Sequence, residues 1–239
     1  MMRLRLPLGR SVFFVAALAF ALVALLPLSL AAGWFTLDGR GLAAREASGS
    51  LWAGALKEAQ FGAVPLGDLS ARLNVLPLFL GRARLSLSRD DAQGRFEGAV
   101  TVSRHGFGVE DMTGQVRLGG LFAPLPLATL DLADVSAQFA GGLCENAEGA
   151  VRAGLSGDMA GMMVSTGLSG RARCAEGALL LPLASQSGLE QLNLRVQADG
   201  RWRVELALRP SDPAAQARLA AAGFTAAGAA YVRRIEGSF

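Results

Sequence analysis

The sequence has little of what most enzyme active sites and metal centres require. It contains one histidine, His105, and one lysine, Lys57, and only 18% of its 239 residues are charged. A single histidine is one ligand too few for the common mixed zinc sites. The sequence also lacks the G-x-x-x-x-G-K-[ST] and G-x-S-x-G motifs and a complete G-x-G-x-x-G. We therefore expect a protein that is not an enzyme, with no catalytic residues, no metal site and no cofactor.

Excess charge is also small, and it lies at one end of the chain. Lys and Arg together number 23, and Asp and Glu number 20. Arg3, Arg5 and Arg10, which precede the first apolar segment, account for the difference. A nucleic-acid footprint needs clustered positive charge on the folded part. Although the sequence pI is about 9.5, we therefore expect no nucleic-acid partner.

Residues 11–37 form a long run without a charged residue. A helix needs roughly 20 apolar residues to cross the ~30 Å hydrocarbon layer. By the positive-inside rule, the three arginines hold residues 1–10 in the cytoplasm. We expect residues 11–37 to be a single-pass, uncleaved signal anchor in a bacterial inner membrane, and residues 38–239 to be a periplasmic domain. The alternative is a cleaved signal peptide, because small residues at 29–31 offer a cleavage site. The apolar core of a signal peptide usually runs about 7–15 residues, however, and this run is longer.

The chain has two cysteines, Cys144 and Cys174, and both follow the predicted anchor. An oxidising compartment joins such a pair if the two Cα atoms lie within about 7 Å. We therefore predict a disulfide between them. Two unrelated buried thiols are the alternative that the sequence leaves open.

Beyond Arg40, apolar residues recur with a period of two. This alternation is typical of antiparallel strands that place one face on a core and the other in water. It occurs over residues 69–75, 83–87, 96–102, 115–118, 127–139, 150–155, 168–174, 192–196 and 202–208. The predicted fold class is mainly β: an N-terminal transmembrane helix followed by a one-sided, curved antiparallel β-sheet domain with one short C-terminal helix.

Local patterns predict several details of this domain. A three-residue loop over residues 198–200 sets Val196 opposite Trp202 and needs a left-handed residue at Gly200. The apolar parity flips near residues 133–134, where we expect a bulge or break. The short helix begins at Pro213 with Asp212 as its cap and ends at Gly223. A strand over residues 229–235 follows it.

Three stretches together resemble a known family. The first is GSLWAG, with Gly49, Trp52 and Gly54, shortly after the predicted anchor. The second is residues 65–87, with its Leu-Pro-Leu-x-Leu-Gly run, and the third is the tail from residue 192. In this order they resemble protein N of the bacterial type II secretion system, the general secretion pathway. The resemblance implies an inner-membrane accessory component of the machine that exports folded proteins from the periplasm across the outer membrane. Its implied partners are other inner-membrane components of that system.

Trp52 lies between the two glycines of the signature, and we interpret it as structural. We expect the indole to be buried in the sheet, where glycine neighbours let it lie flat across an adjacent strand. The other interpretation is a tryptophan that binds a partner protein.

Two functions fit an anchored, one-sided sheet. The first is a scaffold within the secretion machine. The second is a periplasmic lipid-handling protein, which would use the apolar face as a groove for acyl chains. A groove leaves that face unfilled by side chains, whereas a scaffold closes it with its own helix and loops.

Overall fold

Most of the chain beyond residue 41 is described by a computed structural model. The described residues are 13, 14, 17, 42–91, 94–155, 157–159, 162–164 and 167–239. Residues 13, 14 and 17 are helical. The rest of the predicted membrane helix, residues 11–37, lies outside the described residues, and so do Arg3, Arg5 and Arg10. Within the described ranges, no helix combines the length and the apolar character needed to cross a membrane.

Beyond residue 41 the described residues form strands joined by short turns, and two helices. The strands are β1 (Leu42–Ala43), β2 (Glu46–Ser50), β3 (Ala53–Phe61), β4 (Val64–Asn74), β5 (Arg82–Asp91), β6 (Gly94–Ser103), β7 (Gly106–Arg117), β8 (Leu127–Ala140), β9 (Leu143–Leu155), β10 (Gly157–Met159), β11 (Met162–Val164), β12 (Gly167–Arg171), β13 (Arg173–Ala175), β14 (Ala178–Ala184), β15 (Glu190–Val196), β16 (Arg201–Leu208), β17 (Thr225–Ala227) and β18 (Ala230–Ser238). The helices are α1 (Val75–Phe79) and α2 (Pro213–Ala221).

Sixteen of the described strands belong to one open antiparallel sheet. From edge to edge the order is β1, β3, β4, β5, β6, β7, β8, β9, β12, β14, β15, β16, β18 and β17; β2 also pairs with β3, and β13 with β14. The strands β10 and β11 form a separate hairpin. Neighbours in the sheet are nearly always neighbours along the chain, so the sheet is a meander. This confirms the predicted mainly β, antiparallel domain with a short helix near its end.

The apolar face of the C-terminal strands is covered by the chain itself. The connection between β7 and β8, residues 118–126, places Phe122 and Leu125 in the core. The ring of Phe122 meets that of Trp202 on β16 edge to face, with centroids 4.7 Å apart. Helix α2 adds Leu219, which has no exposed surface. Side chains of the protein therefore fill this face.

The sheet is strongly curved. Arg89 on β5 is buried, and its guanidinium donates to the carbonyl oxygens of Leu66 on β4, at 2.5 Å, and Gln115 on β7, at 3.2 Å. In a flat sheet, β4 and β7 would lie about 14 Å apart. The ring of Phe61, at the end of β3, and that of Phe239, directly after β18, are 5.8 Å apart, although these strands lie near opposite edges of the sheet. The sheet therefore curls so far that residues near its two edges come into contact. The sequence predicts a curved sheet but not this contact.

The predicted hairpin between β15 and β16 is confirmed. Val196 pairs with Trp202, and the backbone N–H of Gln197 donates to the carbonyl of Arg201 at 2.8 Å. The three residues between Gln197 and Arg201 form the loop, and Gly200 ends it with a φ of 82°. This left-handed conformation is the reason that a glycine stands at this position.

The predicted helix and the predicted bulge are also confirmed. Helix α2 begins at Pro213, and the carboxylate of Asp212 caps it by accepting the N–H of Ala214 at 3.0 Å. Gly223, with a φ of 83°, follows its end. The register between β8 and β9 shifts after Ala133, next to Asp134 with a φ of 52°. The last predicted strand corresponds to β18.

Other strand predictions are incomplete, because period two fails where the backbone bulges or where both faces are covered. The prediction omits β14, whose side chains are buried or half-buried on both faces. It omits β3, where Glu58 with a φ of 49° interrupts the alternation. It includes only the end of β7, because Asp111 with a φ of 53° lies in its middle. The single strand predicted over residues 168–174 is divided into β12 and β13.

The strand predicted over residues 69–75 ends at Asn74, and a second described helix, α1, follows it. Pro77 has no N–H for a strand ladder, so the chain turns back through one helical turn. Gly81, with a φ of 70°, ends this turn before β5.

The predicted disulfide between Cys144 and Cys174 is confirmed. It joins β9 to β13, with the two Cα atoms 5.5 Å apart. The backbone N–H of Cys144 also donates to the carbonyl of Gly177 at 2.8 Å, so the bridge and a hydrogen bond hold the same two segments. The bridge closes a loop across 30 residues.

We expect the variant Cys144→Ser/Cys174→Ser to lose about 3–4 kcal/mol of unfolding free energy, because the unfolded chain regains the freedom of that loop. Urea unfolding followed by circular dichroism measures the loss. Reduced wild-type protein is the control, and its unfolding curve should coincide with that of the variant. A difference of less than ~1 kcal/mol between oxidised wild type and variant would contradict a stabilising bridge.

Candidate interaction surface

Two of the three sequence motifs lie side by side at one end of the sheet. Leu51 and Trp52 form the turn between β2 and β3. The backbone N–H of Leu73, near the end of β4, donates to the carbonyl of Leu51 at 3.1 Å. Helix α1 begins directly after β4, so the GSLWAG turn is next to the Leu-Pro-Leu-x-Leu-Gly run. The antiparallel pairing of β3 with β4 brings them together.

The signature glycines allow two backbones to approach closely. Gly49 pairs with Gly54 across the hairpin and has a φ of 85°. A Cβ on Gly49 would lie 2.7 Å from the carbonyl oxygen of Ala53 and 3.0 Å from the Cα of Gly54. Both the conformation and the space therefore require glycine at position 49.

The interpretation of Trp52 as a buried strand residue is wrong. Trp52 is in the turn rather than on a strand, and it is half-buried. The glycines therefore serve the tight hairpin.

Helix α1 and the residue after it expose large apolar side chains to solvent. The relative exposure is 81% for Leu76, 83% for Phe79 and 79% for Leu80, the residue after the helix. None of the residues of α1 is buried. Contiguous exposed apolar side chains of this kind mark interaction sites in soluble domains.

Three exposed arginines lie on the strands and the turn at this end of the sheet. Arg72 is on β4, Arg82 begins β5, and Arg104 is in the turn after Ser103, which pairs with Arg82. No carboxylate among the described residues lies within ion-pairing distance of these three guanidinium groups. We call the combined surface the amphipathic patch: Leu76, Phe79, Leu80, Arg72, Arg82 and Arg104.

By contrast, Arg84, which lies between Arg82 and the sheet interior, is already paired. Its Nε is 3.1 Å from Glu110, which also accepts a hydrogen bond from the Thr101 hydroxyl at 2.7 Å. Arg84 therefore adds no unpaired positive charge to the patch.

The remaining sequence-predicted residues do not join the patch. The disulfide of Cys144 and Cys174 is on β9 and β13, several strands away. His105 is exposed in the turn between β6 and β7. None of the sequence predictions includes this patch, although the run of apolar residues 75–80 followed by Arg82 is a visible signal.

We expect Gly49→Ala to destabilise the fold by ~1–3 kcal/mol more than Gly200→Ala, because only the former places a Cβ against backbone atoms. The comparison is matched, because Gly200 also has a left-handed φ but has open space around its Cβ position. Urea unfolding measures both losses. Equal losses would mean that the hairpin relaxes without cost.

Comparison with known proteins identifies the family. The family model described as Type II secretion system (T2SS), protein N, matches residues 40–233, which include the hairpin, the patch, the disulfide and helix α2. No curated protein and no solved structure matches the chain. The resemblance seen in the three motifs is confirmed over most of the sequence. The chain belongs to the type II secretion system protein N family.

Proposed function

We propose that this protein is an inner-membrane accessory component of the type II secretion system that acts as a scaffold for other inner-membrane components. Family membership assigns it a role in type II secretion. In this proposal, residues 11–37 anchor the chain, residues 1–10 lie in the cytoplasm, and the sheet domain lies in the periplasm. It needs no catalytic residue, metal or cofactor for this role.

The filled apolar face is the observation that carries the scaffold assignment. Phe122, Leu125 and Leu219 occupy the face that the alternative, a lipid-handling groove, would need for acyl chains. Each of these side chains stabilises the fold by about 1.5–3 kcal/mol through its burial. Lipid entry would require the protein to give up those contacts. A sheet whose apolar face is already filled by its own side chains suits a component that positions other proteins.

We expect alkaline phosphatase fused behind Phe239 to be active, because that enzyme works only outside the cytoplasm. The matched fusion is cytoplasmic β-galactosidase at the same position, which should be inactive. The reverse pattern would place the sheet domain in the cytosol and remove the proposed topology.

Native mass spectrometry of the detergent-solubilised full chain distinguishes the scaffold from the lipid carrier. We expect no phospholipid in stoichiometric amount after detergent exchange, because the apolar face is occupied by side chains. Retention of one or more phospholipids per chain would overturn the scaffold assignment.

Affinity purification in mild detergent tests the partner class. The full chain should retain other inner-membrane secretion components, and deleting its gene should reduce exoprotein release. The control is a chain with a cleavable signal peptide in place of residues 1–37, which delivers an untethered domain to the periplasm. If no secretion component co-purifies with the anchored chain, the scaffold role fails.

A further inference from the structure

The amphipathic patch is a protrusion rather than a pocket. About four-fifths of the surface of Leu76, Phe79 and Leu80 is exposed, so these side chains project outward from the turn between β4 and β5. A protein partner would need a concave surface to bury them. A lipid bilayer accepts a projecting apolar group without such a matching shape.

The charge around the protrusion fits an anionic surface. Arg72, Arg82 and Arg104 are exposed and lack ion-pair partners among the described residues. Guanidinium groups beside apolar side chains are the combination that binds an anionic lipid interface, where the apolar part enters and the charges meet the headgroups. Trp52, half-buried in the adjacent turn, belongs to the residue type enriched at membrane interfaces.

The proposed anchor is close enough in the chain for the amphipathic patch to reach the membrane surface. Residues 38–41 connect the apolar run to β1 and span at most about 18 Å. The strand β1 pairs with the end of β3 at Phe61, which is 43% exposed, and α1 is at the other end of β4. The 11 residues of β4 are about 36 Å long. A domain that lies with β3 and β4 along the bilayer therefore brings both Phe61 and α1 to the membrane surface.

We propose that the amphipathic patch docks on anionic phospholipid of the same bilayer that holds residues 11–37, so that the sheet domain lies along the membrane. This inference rests on the proposed membrane anchor. The tether keeps the patch at high local concentration near the bilayer, so a weak surface contact is sufficient to orient the domain.

The test uses photocrosslinking of the full chain reconstituted in nanodiscs that contain phosphatidylglycerol. In one variant p-benzoylphenylalanine replaces Phe79, and in the control it replaces Leu189, an apolar residue with 47% exposure between β14 and β15. We expect a phospholipid adduct, identified by mass, at position 79 and a much lower yield at position 189. Equal yields at the two positions would overturn the proposal.

The same Phe79 variant in cell membranes tests the alternative occupant. A protein adduct in place of the lipid adduct would show that a protein covers α1, and this outcome also overturns the proposal. Carbonate extraction of those membranes distinguishes a failure of the proposed anchor from a failure of the proposed docking. Release of the chain by carbonate would remove the anchor, whereas a retained chain without a lipid adduct would remove only the docking.

The contribution of charge is tested with Arg82→Gln and Arg104→Gln. Each substitution should lower the lipid adduct at position 79 by about fivefold, because one arginine near an anionic surface contributes about 1 kcal/mol. Arg209→Gln, at an exposed arginine next to Leu189 in the structure, is the matched control and should leave the yield unchanged. Nanodiscs of phosphatidylcholine alone should abolish the difference between the variants. If Arg82→Gln leaves the yield of the lipid adduct at position 79 unchanged, the proposal is contradicted.

Discussion

The need to cover one apolar face governs this structure. Between their bulges, the long strands present every second side chain to the same side, and a sheet of this many strands would be roughly 60 Å wide if it were flat. Helix α2 has nine residues and is about 13 Å long, so it covers only a small part of that width. Curling of the sheet and the insertion of Phe122 against Trp202 cover the rest. The curvature and the filled interior follow from this requirement.

Buried Arg89 fixes the curvature at a particular place. Its guanidinium satisfies backbone carbonyl groups on β4 and β7 and lies 5.7 Å from the ring centre of Phe96. Asp91 is 3.5 Å away and supplies a compensating charge. A buried charge is tolerated only when it is hydrogen-bonded and paired in this way. The arginine therefore holds together strands that a flatter sheet would separate.

Local chemistry in the sequence predicts the parts of the fold that depend on a few neighbouring residues. The Gly200 loop and the Asp212 cap are predictable because each requires a specific backbone conformation or hydrogen bond within a short stretch. The strand β14 is not, because residues covered on both faces lose the alternation that marks a strand. Packing of Phe122 on Trp202 joins positions far apart in the chain, and no local pattern reports it. Similarly, the two N-terminal motifs are visible in the sequence, but their adjacency depends on the pairing of β3 with β4.

The contact between Phe61 and Phe239 constrains the order in which the chain can fold during its synthesis. Almost the whole length of the described chain separates these two rings, and Gly62 packs so closely on Phe239 that a Cβ there would lie 2.8 Å from its Cβ. Contacts between such distant residues carry a large loop-closure entropy and form late in folding. During synthesis, the hairpin of β3 and β4 emerges long before the segment against which it packs. The ring of Phe61, at the tip of this hairpin, therefore stays exposed to solvent until β18 and Phe239 have been synthesised.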